Sequence, residues 1–378
     1  MERKTSWTLF TLRGVALNVH VSLLFLVFYV VIVATAQFPI IGELAGVDLA
    51  DVAGSAFTWG LVFAFSLLLS IFIHEFSHVL VAQALGTKTR RVTLMMLGGA
   101  SEMDHLPEEP SYELKVAIIG PLVSLVLGGV LLLIYWTSSF ATLKLYAYWL
   151  GQLNIVLGIF NLLPAFPTDG GRVLRALLVS RQGRVRGTQN AVAVSRVFSW
   201  TFGLVGLLQF NLLLILIAIF ISLAARSELF VITAKDVLMG LRVDDVMTPA
   251  HALSADESLE RVSLRMVDER VTALPIIDST DGHVRHAMIS AETLQRIPKR
   301  LWSTTLAKVV ADRVPKPLRR DAPLDEALIA SLAGASSGLP VVENDEVIGL
   351  LRMKDLLETV QLRQLTNRER ESRDFAMN

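Results

Sequence analysis

One short motif limits what this chain can be: His74-Glu75-Phe76-Ser77-His78 lies inside a long apolar segment. Residues 58–73, which precede it, contain no charged side chain. Positions i and i+4 lie on one face of a helix, so the two imidazoles can bind one metal ion. Glu75 is then placed to accept a proton from water rather than to bind the metal. Because ionisable groups are costly in such a segment, the motif predicts a functional metal site within a membrane.

The composition supports a membrane protein and narrows the choice of metal ligands. Of the 378 residues, 53% are hydrophobic, and a mean hydropathy of +0.53 is too high for an ordinary soluble enzyme. The 35 Lys and Arg residues are balanced by 35 Asp and Glu residues. The chain therefore has no net positive charge that would indicate nucleic acid as a partner. The chain contains no cysteine, so a zinc site would use histidine and carboxylate ligands.

Apolar segments predict about six membrane spans, with the first retained rather than cleaved. They cover approximately residues 15–36, 58–85, 115–136, 148–163, 190–208 and 211–225. Basic residues cluster in the N-terminus, 88–91, 172–186 and the region after 226, whereas the loop 37–57 has none. By the positive-inside rule, both termini lie in the cytosol and the protein is a multi-pass plasma-membrane protein.

A second motif, Asn161-Leu-Leu-Pro-Ala-Phe-Pro-Thr-Asp169-Gly-Gly-Arg172, ends the fourth span. Its prolines and glycines break the helix near the cytosolic face, the same face at which His74 is expected. A carboxylate at membrane depth needs a partner, and two histidines that lack a third ligand provide one. Between the motifs, residues 92–97 predict a strand. Its edge either pairs with an extended peptide or belongs to a simple connecting hairpin.

Together these two motifs, in this spacing and membrane setting, resemble the site-2 protease family of intramembrane zinc metalloproteases over about residues 1–226. The resemblance implies that His74, His78 and Asp169 bind Zn²⁺ and that Glu75 is the catalytic base. It also implies that Asn161 helps to hold the substrate or the oxyanion. The implied substrate is a single-span membrane protein within the lipid bilayer, such as an anti-sigma factor or a sigma-factor precursor.

The soluble C-terminal part contains an internal repeat. Leu259 and Pro275 recur at the same separation as Leu324 and Pro340. This part resembles a tandem pair of cystathionine-β-synthase-type (CBS) domains. The predicted boundaries are a protease domain at 1–226, a linker at 227–241, CBS domains at 242–305 and 306–360, and a polar tail at 361–378.

The resemblance to CBS domains implies an adenine-nucleotide site, but neither repeat carries the complete pattern of a Ser or Thr followed three residues later by Asp. Ser290 is the candidate for a phosphate contact and Asp355 for a ribose contact. The alternative is a module without a small ligand that forms a homodimer or docks the substrate.

The sequence therefore predicts a polytopic α-helical membrane protein with a soluble α/β CBS pair, acting as a zinc-dependent endopeptidase. A CBS-regulated transporter or channel is the rival interpretation, since intramembrane acids also line ion paths. That interpretation accounts for Asp169 but leaves the spacing of His74, Glu75 and His78 unexplained.

Overall fold

The structure is a computed structural model that describes residues 6–95, 98–103, 109–278, 285–314, 317–334, 338–344 and 346–377. The chain divides into two compact units, Met1–Leu229 and Phe230–Asn378. The first is a helical bundle with a small sheet, and the second is an α/β domain.

Seven helices form the first unit and lead out of it: α1 (Ser22–Leu44), α2 (Ala56–Ala84), α3 (Pro110–Thr137), α4 (Ala141–Asn161), α5 (Asp169–Gln182), α6 (Arg184–Leu208) and α7 (Leu212–Leu238). Six of them, all except α5, are long and apolar enough to cross a bilayer. The predicted six spans are thereby confirmed. The segment expected to be a linker, 227–241, is helical as far as Leu238 because α7 continues through it.

The start of the first span was predicted wrongly. Residues Val15–His20 form a strand, β2, which pairs with β1 (Ser6–Leu12) across a two-residue turn. Arg13 and Gly14 in that turn have φ angles of 51° and 79°, the left-handed pair that a tight hairpin requires. Val15, Leu17 and Val19 of this run belong to one apolar cluster with α2, as residues on one face of a strand do, and the helix begins only at Ser22.

A four-stranded sheet completes the first unit, with β3 (Thr89–Met95) and β4 (Gly98–Met103) and the order β1-β2-β3-β4. The strand expected at residues 92–97 is confirmed as far as Met95, and Met96 and Leu97 lie outside the described residues. β3 pairs with β2 on one side and β4 on the other, so it has no free edge. The edge expected there belongs instead to β4.

Small residues set how closely the helices pack. A side chain at Gly158 of α4 would lie 3.0 Å from the carbonyl oxygen of Pro121 in α3, and one at Gly128 of α3 would lie 2.9 Å from the Gly151 carbonyl. In a bilayer, where apolar burial does not drive association, such close approach supplies the packing contacts. α3 is thereby held against α4 at the level of the second motif.

In its described residues, the second unit has two four-stranded sheets and, after the end of α7, five further α-helices. Its elements are β5 (Thr248–Pro249), β6 (Leu253–Ser254), α8 (Leu259–Asp268), β7 (Ala273–Asp278), β8 (Arg285–Ser290), α9 (Ala291–Gln295), α10 (Ala307–Val310), β9 (Asp312–Arg313), β10 (Leu318–Arg319), α11 (Leu324–Gly334), β11 (Leu339–Glu343), β12 (Glu346–Leu351) and α12 (Met353–Met377). The sheet orders are β6-β7-β8-β9 and β10-β11-β12-β5.

The two repeats exchange their first strands. β5, at the start of the first repeat, pairs with β12 of the second, and β9, at the start of the second, pairs with β8 of the first. A shared apolar cluster joins Ala250, Ala273 and Met288 to Leu350. Each sheet is therefore complete only when both repeats are present.

This exchange predicts that residues 242–305, the expected first CBS domain, do not fold alone, because that fragment lacks β9 and the Leu350 side of the shared cluster. Residues 230–378 should unfold cooperatively under the same conditions. Thermal denaturation of both fragments, followed by circular dichroism, checks this. A cooperative transition in the fragment 242–305 would contradict it.

Candidate metal centre

The structure brings three of the predicted site residues together. The Nε2 atom of His74 lies 3.1 Å from Oδ2 of Asp169, and that of His78 lies 3.3 Å from the same oxygen. The two Nε2 atoms are 3.3 Å apart. Within the described residues, one potential ligand atom from each side chain lies within 4.8 Å of the others. Both histidines are buried and Asp169 is nearly so.

The local folding of each element explains this meeting. His74 and His78 are one turn apart on α2 and share its inner face. Asp169 is the first residue of α5, whose preceding residue, Thr168, caps the helix. The Thr168 hydroxyl donates to the carbonyl oxygens of Leu163 and Ala165, at 2.5 and 2.8 Å. These bonds tie the start of α5 to the chain break that follows α4.

The glycines that follow Asp169 allow the break to fold back on itself. A side chain at Gly170 would overlap the carbonyl group of Leu162, and one at Gly171 would lie 2.7 Å from the backbone of Ala165. Only glycine fits at such a close backbone approach. The two glycines of the second motif thus place the carboxylate, whereas the first motif places the imidazoles.

A further glycine shapes the space around the two histidines. Gly120 of α3 faces them, and a Cβ atom there would overlap the His78 ring and lie 2.7 Å from Nε2 of His74. Because Gly120 has no side chain, α3 can lie close to both imidazoles without overlapping their Nε2 atoms. The backbone at Gly120 therefore borders the site.

The other ring nitrogen of each histidine is engaged outside the cluster. Nδ1 of His78 lies 2.7 Å from the carbonyl oxygen of Val116, and Nδ1 of His74 lies 2.9 Å from the Ser124 hydroxyl. A carbonyl can only accept, so His78 carries its proton on Nδ1 and presents a lone pair on Nε2. The Ser124 hydroxyl can donate or accept, so it orients the His74 ring. Partners of this kind orient zinc-binding histidines in proteins.

The donor set fits a catalytic zinc ion. Two neutral imidazole nitrogens and one carboxylate oxygen leave a fourth tetrahedral position open for water or substrate. The buried Nδ1 partners hold both rings in orientation, and the absence of a side chain at Gly120 leaves space in front of their Nε2 atoms. The residues present can therefore hold the ion that the sequence predicts.

An ion-pair cluster that the sequence did not reveal fastens α5. Arg175 donates from Nε to both carboxylate oxygens of Glu113 in α3, at 2.9 and 3.2 Å, and also contacts Glu228 of α7. Its guanidinium lies 5.6 Å from the ring centre of Phe166, in the break before Asp169. The side chain is only 16% exposed, so these contacts are shielded from water. Partners so distant in sequence leave no local pattern.

A second unforeseen contact joins α2 to α4 one turn before His74. Asn154, which is 1% exposed, donates from Nδ2 to the Ser70 hydroxyl at 3.0 Å and to the Leu150 carbonyl at 2.8 Å. Hydrogen bonds between helices of this type hold helices together in lipid. Ser70 precedes His74 by four residues and so lies on the same face of α2, and this spacing could have indicated that Ser70 faces the bundle.

The remaining protease candidates lie on α2 and at the end of α4. Glu75 directly follows His74 on α2 and is partly buried. Asn161 is the last residue of α4, and its Nδ2 donates to the Leu157 carbonyl in its own helix at 3.0 Å. Its amide nitrogen is thus already engaged within the helix.

The two candidate nucleotide residues are engaged in local contacts. The Ser290 hydroxyl caps α9 by accepting from the Thr293 N–H at 3.1 Å. Asp355 accepts from Nε and Nη2 of Arg352 at 3.0 and 2.8 Å, and its hydrogen bond raises the pKa of that guanidinium. Arg352 also donates to Thr248 at 3.0 Å. Arg352, which stands where the nucleotide pattern has a Ser or Thr, is thus already bonded to the carboxylate of Asp355.

These contacts predict that Ser124→Ala weakens zinc binding by about 10- to 100-fold, because His74 loses the partner that orients its ring. Ser77→Ala is a matched control. The Ser77 hydroxyl is also buried against His74 but donates to its backbone carbonyl, at 2.6 Å, and not to the ring. Competition with a chromogenic chelator measures both affinities. Equal zinc affinities in the two variants would contradict the assigned role of Ser124.

Known proteins match both parts of the chain. The profile of peptidase family M50 matches residues 62–144 and 136–204, and that of the CBS domain matches residues 308–361. Zinc metalloprotease MJ0392 of Methanocaldococcus jannaschii is 28% identical over 362 residues, covering 94% of this chain and 96% of that protein. Putative zinc metalloprotease Rip3 of Mycobacterium tuberculosis is 30% identical over 325 residues, covering 81% and 82%.

A solved site-2 protease from Methanocaldococcus jannaschii aligns with 30% identity and a TM-score of 0.42, over 59% of this chain and 95% of that chain. The relatives named as zinc metalloproteases match along most of their length, which answers the question between protease and transporter. With six helices that can span a bilayer, a His-Glu-x-x-His motif and a CBS pair after them, the chain belongs to peptidase family M50, the site-2 protease family of membrane zinc metalloproteases.

Proposed function

We propose that this membrane protease holds its zinc ion with His74, His78 and Asp169 and uses Glu75 as the general base. The observation that carries the proposal is the convergence of three ligand atoms from α2 and α5 within 4.8 Å of one another. The two helices are far apart in sequence, and a buried cluster of two histidines and an aspartate offers the ligand types that a zinc ion prefers.

The chain's own residues supply the remaining chemistry. Zinc, when bound, is a Lewis acid that makes water a nucleophile near neutral pH and polarises the scissile carbonyl. Glu75 accepts the proton of that water and later returns it to the leaving amine. Asn161 is proposed to stabilise the developing oxyanion or to hold the substrate backbone, for which its amide would leave the Leu157 carbonyl. Burial of the cluster keeps bulk water out.

The proposed substrate is a membrane-tethered regulatory protein with a single span, such as an anti-sigma factor or a sigma-factor precursor. The backbone of a helix is hidden in its own hydrogen bonds, so the substrate must be extended at the cut. β4 is the end strand of its sheet, beside β3, and can add an extended segment as a further strand.

Glu75→Gln should retain the zinc content of the wild-type protein but lower cleavage by about 10²- to 10⁴-fold, because an amide of the same size cannot accept a proton. Glu43→Gln, an exposed position in another part of the chain, is the matched control and should cleave normally. Elemental analysis and cleavage of a reporter substrate measure both effects. Near-normal cleavage by zinc-loaded Glu75→Gln would refute the assigned base.

The inactive Glu75→Gln variant also offers a route to the substrate. Quantitative proteomics can compare membranes from cells with this variant and with the wild-type enzyme. Membrane proteins that accumulate uncut in the variant are candidate substrates. Accumulation of a single-span regulator supports the proposed substrate class, and accumulation confined to soluble proteins contradicts it.

The proposed orientation places both termini and the CBS pair in the cytosol, on the evidence of the basic segments. Single cysteines can test it, since the chain has none of its own. A cysteine at Asp48 should react with a membrane-impermeant thiol reagent in intact cells, and one at Lys88 only after the cells are opened; both positions are exposed. The reverse pattern would invert the topology.

The CBS pair is proposed to regulate access to the protease by sensing an adenine nucleotide. The alternative is a module without a small ligand that forms a homodimer or docks the substrate. The dimer proposal is supported by exposed apolar side chains at equivalent positions of the two repeats. Leu264 and Val267 of α8 are 59% and 74% exposed, and their counterparts Ile329 and Leu332 of α11 are 45% and 48% exposed. Light scattering on Val267→Lys, against the wild type, tests it: an unchanged mass would exclude this surface.

Nucleotide sensing requires Asp355 to exchange Arg352 for a ribose hydroxyl. Calorimetry of the full-length protein in detergent with AMP, ADP and ATP tests this, with Asp355→Asn as the variant. Binding to the wild type that weakens in Asp355→Asn supports the proposal. If no nucleotide binds at about millimolar concentration, where ΔG° is about −4 kcal/mol, the sensing role fails and dimerisation or docking remains.

A further inference from the structure

Strand β1 carries large apolar side chains that the bundle does not cover. Trp7, Phe10 and Leu12 are 51%, 47% and 41% exposed. Their cross-strand partners in β2 are Val19, Leu17 and Val15, respectively. Directly paired residues point to the same side of a sheet. The three side chains therefore extend one continuous face of the sheet.

That face is the one that packs against the membrane-spanning helix α2. Val15, Leu17 and Val19 belong to an apolar cluster with α2 residues such as Phe72. β1 lies next to β2 in the sheet and extends this face beyond the helix. The ring of Phe10 still meets Phe72 edge to face, with centroids 6.1 Å apart. The exposed apolar side chains of β1 thus lie on the same face of the sheet as the β2 residues that are packed against α2.

The opposite face of the same strand is polar. Thr8 and Thr11 pair with Asn18 and Ala16, on the other side of the sheet from the apolar cluster. Thr8 donates a hydrogen bond of 2.8 Å to Oδ1 of Asn18. Leu9, which is 61% exposed, lies at a β-bulge between Thr8 and Phe10 and has no paired residue in β2. The paired residues of β1 are therefore amphipathic, with an apolar side that continues the α2-facing surface and a polar side opposite it.

The connection to α1 places this strand at the boundary of the bilayer. α1 has 23 residues. Its length of about 34 Å is sufficient by itself for a hydrocarbon core of about 30 Å. Only Val21 separates β2 from α1, so the hairpin begins where α1 enters the lipid. Phe25 and Phe28 in the first turns of α1 are 66% and 67% exposed, as lipid-facing residues of a span are.

The two ends of β1 then lie at different depths. Trp7 pairs with Val19, close to the start of α1, whereas Leu12 adjoins the turn at Arg13. That turn shares an open, polar pocket with Lys88, just beyond the end of α2. Trp and basic residues occupy these two levels at membrane–water interfaces. β1 is also an end strand, whose outer backbone groups need water, so it cannot lie deep in the hydrocarbon.

We propose that the apolar face of β1, formed by Trp7, Phe10 and Leu12, lies against lipid in the interfacial layer of the bilayer. The partner is the lipid itself, because the face adjoins Phe72 of the membrane-spanning α2 and the hairpin leads directly into the span α1. The strand thereby holds one end of the sheet at the membrane surface. β4, at the opposite end of the same sheet, is held at a constant level relative to the membrane.

Site-specific labels in the otherwise cysteine-free full-length protein test this proposal. Trp7→Cys and Leu12→Cys place an environment-sensitive fluorophore on the apolar face, and Thr11→Cys places it on the polar face of the same strand. Phe25→Cys on α1 is the lipid-exposed reference. Each variant is reconstituted into phosphatidylcholine–phosphatidylglycerol vesicles with a nitroxide on the lipid chain near the headgroup.

The label at position 7 should lose as large a fraction of its fluorescence as the label at position 25, and the label at 12 a smaller fraction. The label at 11 should retain its fluorescence and be quenched by iodide from the water phase. Equal quenching by lipid nitroxide at 7 and 11 would overturn the proposal. So would disulfide-linked dimers of Trp7→Cys in vesicles, which would show that a second copy covers the face. Zinc content verifies that each variant is folded.

Discussion

The structure of the first unit depends on one physical constraint, the burial of two imidazoles and a carboxylate within a bundle made for lipid. Polar groups in such surroundings are tolerated only when each has a partner. The Nε2 atoms of His74 and His78 meet Asp169, and their Nδ1 atoms meet Ser124 and Val116. Two neighbouring features accommodate this cluster. Gly120 makes room for the rings, and the break after α4 ends at Thr168, next to the carboxylate of Asp169.

The contacts around the cluster explain why a membrane enzyme can keep such a site in one geometry. α5 is short, and it bears Asp169 at its first residue. Arg175 fastens it to α3 and α7 through two glutamates, and the Thr168 cap fastens its beginning to the break. Metal sites need their ligands held to within a fraction of an ångström. Here contacts between helices and the hydrogen bonds of the ligand's own segment hold the site together.

The second unit follows a different principle. Each repeat contains too little sheet to be stable alone, and the exchange of β5 and β9 makes the two repeats a single folding unit. In the second repeat, Arg352 lies against Asp355 and Thr248, and Thr248 belongs to the exchanged strand β5. A ligand that displaced Arg352 would therefore disturb a contact between the repeats. This arrangement gives the proposed regulation a physical route, since a ligand acts only through a difference between two states.

The sequence by itself determined the features that arise from local spacing. Two histidines four residues apart define a helical face, prolines and glycines before and after Asp169 define a break, and long apolar runs define six spans. Residues 15–20 were misassigned because apolar content alone does not distinguish a strand from the start of a span. Here the turn at Arg13 and Gly14 and the pairing with β1 made the difference.

Only the tertiary structure decided which distant residues meet. Ser124 lies 50 positions from His74, and Arg175 lies 62 positions from Glu113, so neither pair leaves a periodic signal. The strand order gives the free edge of the first sheet to β4 and not to β3. The exchanged strands β5 and β9 pair across the expected boundary between the two CBS domains. The physical reason is the same in each case. Local patterns encode which face of an element is apolar, whereas the partner of that face is chosen by packing between elements far apart in the chain.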